Sequence, residues 1–504
     1  MTTSLVFEAV LHLMTPVNIG LIVLGVTLGI MFGSIPGFTG SNTVAIMLPF
    51  TLTMSPEIAI VFLSCLYVGA NYGGAIPAVL INTPGTAGAT ATVLDSYPMS
   101  KKGEASKALG ISILASVVGG LFSATLIVLL LDPIGDFAFQ FGNREIFVLG
   151  LFGLSAIAVA AGDDTKKGLI AGFFGLFLAT WPIDPTTAQP RMDFGLNPLF
   201  DQIPFIPVVI GVFAIAELFF LINKKQISED QDVNTTYGGI LSGFKYVIRR
   251  PYQLTRAMVI GLVIGSMPGA GASVGGFISW ATAKSMSADT ASFGTGNPNG
   301  VIASEAANNA VTSGALVPTL TLGIPGSATT AVMLAGLLLH GVRPGPTLMD
   351  EFAFEANVII VSLFFANIIL LVVAFVISKY IVRVVTFPSK YLVPAILVMT
   401  AIGSFVLRNQ VFDIWWMLLF GFIGVLMRVN GYSLIPLILG VILGPIVEGA
   451  YLRSMLISGN DPMYFLESGI AIGLWVLTLL VLFARPLAAL VKQYVLPQIR
   501  SGSP

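Results

Sequence analysis

Apolar runs long enough to cross a bilayer follow one another along this chain with almost nothing charged between them. Residues 109–131, 146–161, 169–181, 203–222, 358–377, 392–407, 414–427, 434–447 and 470–483 are apolar over most of their length. A helix needs about 20 such residues to span the hydrocarbon, fewer where its ends thin the bilayer. Only 10% of the 504 residues are charged, against about 25% in soluble domains. So few charges could not cover a soluble protein of this size. The chain reads as an all-α polytopic membrane protein in contact with a lipid bilayer. With the interrupted spans described below, about a dozen membrane elements are expected.

The composition also excludes function classes. A net charge of −1 offers no basic face to nucleic acid. Cys65 is the single cysteine and forms no internal disulfide. His12 and His340 have no cysteine or carboxylate at metal-ligand spacing, so no metal enzyme, cofactor or catalytic residue is expected. No G-x-x-x-x-G-K-[ST] stretch occurs, so the chain does not hydrolyse ATP with a P-loop.

Basic residues give orientation. Lys101, Lys102 and Lys107 share one connection, Lys166 and Lys167 another, and Lys224, Lys225, Lys245, Arg249, Arg250 and Arg256 fill a third. Lys379, Arg383 and Lys390 follow, then Arg485, Lys492 and Arg500. All can lie on the cytoplasmic side if crossings alternate. The first 16 residues hold no lysine or arginine and do not resemble a signal peptide. The N-terminus is therefore expected outside and the C-terminus inside. Residues 223–256, the one long polar connection, are expected as a cytoplasmic linker between residues 1–222 and 257–504.

Two apolar spans stop abruptly at a Pro-Gly pair. Gly29, Gly33, Ser34, Pro36 and Gly37 match Gly261, Gly265, Ser266, Pro268 and Gly269, each 232 positions on. A second pair of stretches matches at 241 positions: Pro77, Pro84, Gly85 and Thr86 with Pro318, Pro325, Gly326 and Ser327. The later copy thus holds nine extra residues between its motifs, most simply within "SADTASFGTGNPNG". After its second motif the first copy enters the basic loop at Lys101. The second copy enters a loop with Asp350 and Glu351 instead. Opposite charge in equivalent loops is what two inverted-topology repeats with broken or re-entrant helices would produce.

A Pro-Gly break frees backbone groups that a helix would pair. In hydrocarbon each costs several kcal/mol unless buried in protein or lining a cavity. There, freed N–H groups and half-helix N-termini can hold anions, and carbonyls can hold cations. The candidate substrate- and ion-binding set is Ser34, Pro36, Gly37, Thr39, Ser41, Asn42 and Thr43, then Pro84, Gly85 and Thr86. It continues with Ser266, Pro268, Gly269, Gly271 and Ser273, then Asn308, Asn309, Pro325, Gly326, Ser327 and Thr329. These positions carry no lysine or arginine. An anion there is held by amides, hydroxyls and helix dipoles, and such a lining also suits Na+ as a coupling ion. The competing reading is of Pro-kinked helices with glycines at close helix contacts.

Glu305, Asn308 and Asn309 share a helical face. Glu305 is the candidate for ion or proton coupling, or else anchors its helix at the interface. Glu217 and Glu448 read as interface residues, Glu57 as a first-turn residue, and Arg408 with Asp413 as an exposed loop.

These stretches resemble the large permease subunit of the tripartite tricarboxylate transporters. The resemblance covers nearly the whole chain and is most specific over residues 300–346, "GVIASEAANNAVTSGALVPTLTLGIPGSATTAVMLAGLLLHGVRPGP". "GSIPGFTGSNTVAIMLPFT", "YVGANYGGAIPAVLINTPGT" and "NGYSLIPLILGVILGPIVEGAYLRS" also match its patterns. It implies a multi-pass protein of the bacterial inner membrane with about 12 transmembrane segments, so the outward N-terminus expected from the basic residues would be periplasmic. It also implies a small membrane subunit and a periplasmic solute-binding protein as partners. The substrates it implies are citrate-like carboxylates, taken up with an ion gradient and without ATP. One departure is local: Asp95-Ser96-Tyr97-Pro98 stands where the family often has Asp-Gly-Tyr-Pro. A membrane-embedded enzyme would need a nucleophile–base pair, which is absent. A passive channel or facilitator for small anions would also fit broken repeats.

Overall fold

The computed structural model describes residues 3–138, 140–160, 164–181, 191, 203–222, 235–268, 271–378, 380, 389–406 and 408–490. Every regular element among them is helical. The chain begins with α1 (Thr3–Leu13), α2 (Pro16–Gly33), α3 (Gly40–Met47), α4 (Pro56–Gly73), α5 (Ala75–Ile81), α6 (Thr90–Met99) and α7 (Ala105–Ala138). Then come α8 (Asn143–Ala160), α9 (Thr165–Ala179), α10 (Phe205–Ile210), α11 (Ala216–Ile222) and α12 (Tyr237–Ile248). The second set of broken helices is α13 (Pro251–Gly265), α14 (Gly271–Ser285), α15 (Pro298–Leu322), α16 (Ala328–Leu339), α17 (Leu348–Glu351) and α18 (Ala353–Ile377). Last come α19 (Ser389–Val406), α20 (Phe412–Val429), α21 (Leu434–Ile457) and α22 (Gly469–Leu490).

Seven helical segments among the described residues are long and apolar enough to cross a membrane, and three more apolar helices are shorter. The short ones include α16, one of the half-helices after a Pro-Gly break. The helices on either side of the third break, α13 and α14, are also short, at 15 residues each.

The helices form two compact units, each discontinuous in sequence. One comprises Met1–Phe139 with Pro204–Val429, the other Gln140–Ile203 with Asn430–Pro504. In the smaller unit α9 and α21 meet at glycines. A Cβ on Gly175 would sit 2.1 Å from the Leu437 carbonyl oxygen, and one on Gly440 would sit 2.4 Å from that of Gly172. Arg191 pairs with Glu448 there at 2.5 Å.

In the larger unit the two copies repeat the same contacts. Gly29 and Gly33 bring α2 against the carbonyls of Leu66 and Ala70 on α4. Gly261 and Gly265 bring α13 against those of Ala307 and Val311 on α15, the equivalent positions. The ends of α5 and α15 also match. Asn82 (φ 57°) and Gly323 (φ 70°) turn left-handed, and their N–H groups return to the carbonyls of Pro77 and Pro318. A left-handed residue ends a helix because it carries the next N–H out of the ladder. The break comes there because a proline two residues later supplies no N–H and holds the chain extended.

Two charged positions lie inside the protein. Asp413 is fully buried and takes both a bond from Arg408 Nε (3.0 Å) and one from its Nη2. Glu217 is also buried and pairs with Arg428. The exposed-loop expectation for Asp413 is therefore overturned, and Glu217 is paired inside the protein. A charged residue near a helix end can turn inward when an arginine on the same unit neutralises it.

Candidate functional site

Four helix starts follow the four breaks, and their packing crosses between copies. Past the first break, a Cβ on Gly40 of α3 would lie 2.9 Å from Thr329 Oγ1 on α16, the helix after the fourth. Past the second, one on Gly88 would lie 2.9 Å from the Cβ of Ala272 on α14, the helix after the third. The first break thus meets the fourth and the second meets the third. Between these two walls run α4 and α15, joined where Asn71 Nδ2 donates to the Asn308 carbonyl at 2.9 Å.

The wall of α3 and α16 is closed by neutral groups. Thr39 caps α3, accepting from the Asn42 N–H, and its hydroxyl meets that of Ser41 at 2.7 Å. Thr43 donates to the Thr39 carbonyl at 3.1 Å, and Ser34 bonds back to Ile30. Ser327 forms a capping box with Thr330 at the start of α16, and the Tyr67 hydroxyl reaches Ser327 at 3.4 Å. Gly37 takes φ 88°, a value that side chains resist. Pro36, Pro325 and Gly326 are buried, with a Cβ on Gly326 falling 2.7 Å from the Ala315 Cα. Thr329 is half-buried against Gly40. At the far end of this wall Thr51 Oγ1 meets His340 Nε2 at 2.9 Å.

The wall of α6 and α14 is different. Gly85 N–H donates to the Gly74 carbonyl at 3.0 Å, closing the turn after Pro84. Thr86 is buried with its hydroxyl unpartnered. Ser266 bonds back to Leu262 at 2.9 Å, while Ser273 is half-buried on the first turn of α14. Gly271 takes φ 67°, and Pro268 is half-buried; Gly269 lies outside the described residues. Behind this wall sits Glu305, with no exposed surface. Thr92 donates to its Oε1, while Ser112 (3.1 Å) and Ser116 (2.8 Å) donate to its Oε2. No lysine, arginine or histidine among the described residues pairs with it. An interface anchor would be exposed, so that alternative for Glu305 does not describe its place. One turn on, Asn308 and Asn309 are fully buried, each with an unpartnered side-chain oxygen.

The Pro-kink alternative is half right. Gly29, Gly33, Gly261 and Gly265 do serve close helix packing, and Thr39, Ser41, Thr43 and Ser327 are occupied in caps. It leaves no bond for the side chains of Asn42 and Ser273, the Thr86 hydroxyl or the side-chain oxygens of Asn308 and Asn309, whose amide nitrogens bond to the Asn71 and Glu305 carbonyls. Sequence reasoning missed Thr92, Ser112, Ser116, Tyr67 and Asn71. Ser112 and Ser116, four apart and so on one face of α7, were the available signal.

The arrangement can bind ions: hydroxyls and amides at helix starts, with one carboxyl held behind them. Residues 19–439 match the model of the tripartite tricarboxylate transporter TctA family. An uncharacterized 52.8 kDa protein from the TAR-I ttuC' 3' region of Agrobacterium vitis is 34% identical over 499 residues, covering 99% of this chain and 96% of that protein. A second uncharacterized protein, from the TAR-II ttuC' 3' region of the same organism, is 34% identical over 215 residues, covering 42% of this chain and 88% of that protein. A multi-pass helical chain, broken at four matched points and matched across most of its length by this one model, belongs to the tripartite tricarboxylate transporter TctA family.

Proposed function

We propose that this chain is the large membrane subunit of a binding-protein-dependent secondary active transporter. It imports citrate-like di- or tricarboxylates into a bacterial cell, driven by a Na+ or H+ gradient. A small membrane subunit and a periplasmic solute-binding protein complete the complex. The chain lies in the inner membrane with about twelve spans, its N-terminus periplasmic and its C-terminus cytoplasmic. Residues 1–222 and 257–504 form two halves of inverted topology, joined by a cytoplasmic linker whose residues 223–234 lie outside those described.

The observation that carries this reading is the crossed pairing of the breaks, Gly40 with Thr329 and Gly88 with Ala272. Each wall takes one half-helix from each copy, so a rocking of one copy against the other would open and close the space between the two half-helices of a wall. Helix starts at that space favour carboxylate oxygens, since their free N–H groups carry partial positive charge. Glu305 is the coupling group. A carboxyl with three hydroxyl partners and no cation can exchange a proton or a Na+ without breaking an ion pair.

The test is uptake of labelled citrate into proteoliposomes holding the chain with both partners, under imposed Na+ or proton gradients. Accumulation above equilibrium, abolished by the matching ionophore, is expected. Equilibration without accumulation would identify a passive anion facilitator instead. Reporters fused after Lys102 and within residues 341–351 should lie on opposite sides of the membrane. Finding both on one side would refute the inversion.

A further inference from the structure

One buried carboxylate has no part in the site as described. Asp95, midway along α6, has no exposed surface and forms no ion pair with any described residue. Its Oδ1 accepts the backbone N–H groups of Gly294 (2.8 Å), Gly296 (3.0 Å) and Asn297 (2.8 Å). Its Oδ2 accepts the indole N–H of Trp280 at 2.7 Å. The three N–H groups belong to the connection between α14 and α15, within the stretch "SADTASFGTGNPNG" where the nine extra residues of the second copy are most simply placed. Lys102 donates to the Thr295 carbonyl beside them at 2.7 Å. Underneath, Phe293 packs on Ala283, Ala303 and Trp280. A loop tied this many ways is held in one place.

The register of α6 against α15 gives the tie its meaning. The chain before and within α6 presents Gly88, Thr92 and Asp95, three to four residues apart. In the opposite direction α15 presents Asn308, the pair Ser304 and Glu305, then Gly300. Each meets its counterpart. A Cβ on Gly88 would fall 2.1 Å from Asn308 Oδ1, and one on Gly300 would fall 2.0 Å from Asp95 Oδ2. Thr92 donates to Ser304 at 3.0 Å and also to Glu305. A slide of one helical turn would take Thr92 off Glu305 entirely. Asp95 bonds both to the loop that starts α15 and to Trp280 of α14, so it fixes that slide at its outer end.

We propose that Asp95 is a positioning residue for ion coupling: by pinning α6 to the start of α15, it seats the Thr92 hydroxyl on Glu305 and Gly88 against Asn308. This rests on Glu305 being the coupling group. It assigns no ligand to Asp95 itself, whose oxygens are already taken by four N–H donors.

The test is a double-mutant cycle in the reconstituted three-component transporter, reading the Na+ and proton dependence of citrate uptake. Thr92→Val removes the hydroxyl from Glu305 directly. Asp95→Asn keeps an oxygen for the three backbone donors but turns an NH2 toward the Trp280 N–H, donor against donor. Both should shift the half-saturating activity of the coupling ion in the same direction, each by about tenfold. The double variant should go no further than the larger single change, because both act through one hydrogen bond. Asp95→Asn with Trp280→Phe removes the opposed donors and should recover most of the shift. Gly300→Ala displaces the carboxylate from the other side and should reproduce the shift in a chain with Asp95 intact. Multiplying effects, or an Asp95→Asn variant with normal ion dependence, would overturn the proposal. Wild-type uptake indifferent to both ions would instead sink the coupling role of Glu305, and this inference with it.

Labelling separates misfolding from misplacement. In a Cys65→Ala background, Ala283→Cys lies beneath Phe293 and should resist a membrane-impermeant maleimide. Adding Asp95→Asn should make it reactive, and adding Thr92→Val should not. Equal protection in both would overturn the pin.

Discussion

The two walls of the site are built from equivalent helices, yet they are fastened differently. One wall, α3 with α16, is held by caps and by neutral contacts such as Thr51 with His340. The other, α6 with α14, has two fully buried carboxylates behind it, Glu305 and Asp95, which between them accept seven hydrogen bonds. Repetition supplied the same glycine contacts and the same left-handed helix ends to both copies. It did not supply charge to both. A hydrogen bond to a charged group is worth about 1.5–3 kcal/mol, against about 1 kcal/mol for a neutral one. The charged wall should therefore stay intact when the neutral one yields, and the proposed coupling group lies behind the wall that stays.

Removing the charge is the strongest way to break this contrast. Glu305→Leu leaves the Ser112 and Ser116 hydroxyls without their acceptor, while Thr92 keeps Ser304. At about 1–3 kcal/mol per stranded buried group, it should cost at least about 2 kcal/mol of stability and all accumulation. Glu305→Gln keeps one acceptor and the volume, so it should remain folded in detergent and lose only ion dependence. Thermal unfolding and uptake on the same samples check both. A Glu305→Gln transporter that still accumulates substrate would remove charge from the mechanism.

The repeated glycine contacts should also prove unequal. A Cβ at Gly33 falls 2.2 Å from the Ala70 oxygen, while one at Gly265 falls 2.8 Å from that of Val311. Gly33→Ala should cost about 3 kcal/mol and Gly265→Ala about 1 kcal/mol, as overpacking does. Equal losses in thermal unfolding would mean that α13 is held against α15 as rigidly as α2 is against α4.

The neutral fastening should be weak. Thr51→Val removes one bond to His340 and should cost about 1 kcal/mol, less than Asp95→Asn, which opposes two donors. If the wall at His340 opens during transport, Thr51→Val should raise or preserve the maximal uptake rate while Asp95→Asn alters ion dependence. A larger loss from Thr51→Val would reverse the assignment of firm and yielding walls.

Smallest are the hydroxyls, and here structure and binding should separate. Ser327→Ala removes a cap and should cost about 1 kcal/mol of stability. Ser273→Ala and Asn42→Ala remove groups with no bond to another described residue, so unfolding should change little. Apparent affinity for substrate or ion should weaken by about 1–3 kcal/mol if each faces a bound charge. Unchanged affinity in both variants would sink the lining proposed for the site.

Much of this protein follows from one dimension of information. Too few charges for a soluble surface dictate a membrane protein, because each apolar run must leave water. The match of Gly33-Ser34-x-Pro36 to Gly265-Ser266-x-Pro268 marks where helices end, because proline and glycine act through the local backbone wherever the rest of the chain lies. Those features are short-range, so a linear reading reaches them. What only the tertiary structure decided is which distant groups meet. That Glu305 is wholly buried among hydroxyls was decided by Ser112 and Ser116, nearly 200 residues away, which close around it. Asp413 read as a loop residue until Arg408 drew it inward. Asp95, in a motif that looked like a trivial loop change, became a pin once the loop at residues 294–297 folded over it. A buried carboxylate is defined by its donors, and donors brought from other helices leave no spacing in the sequence to find them by.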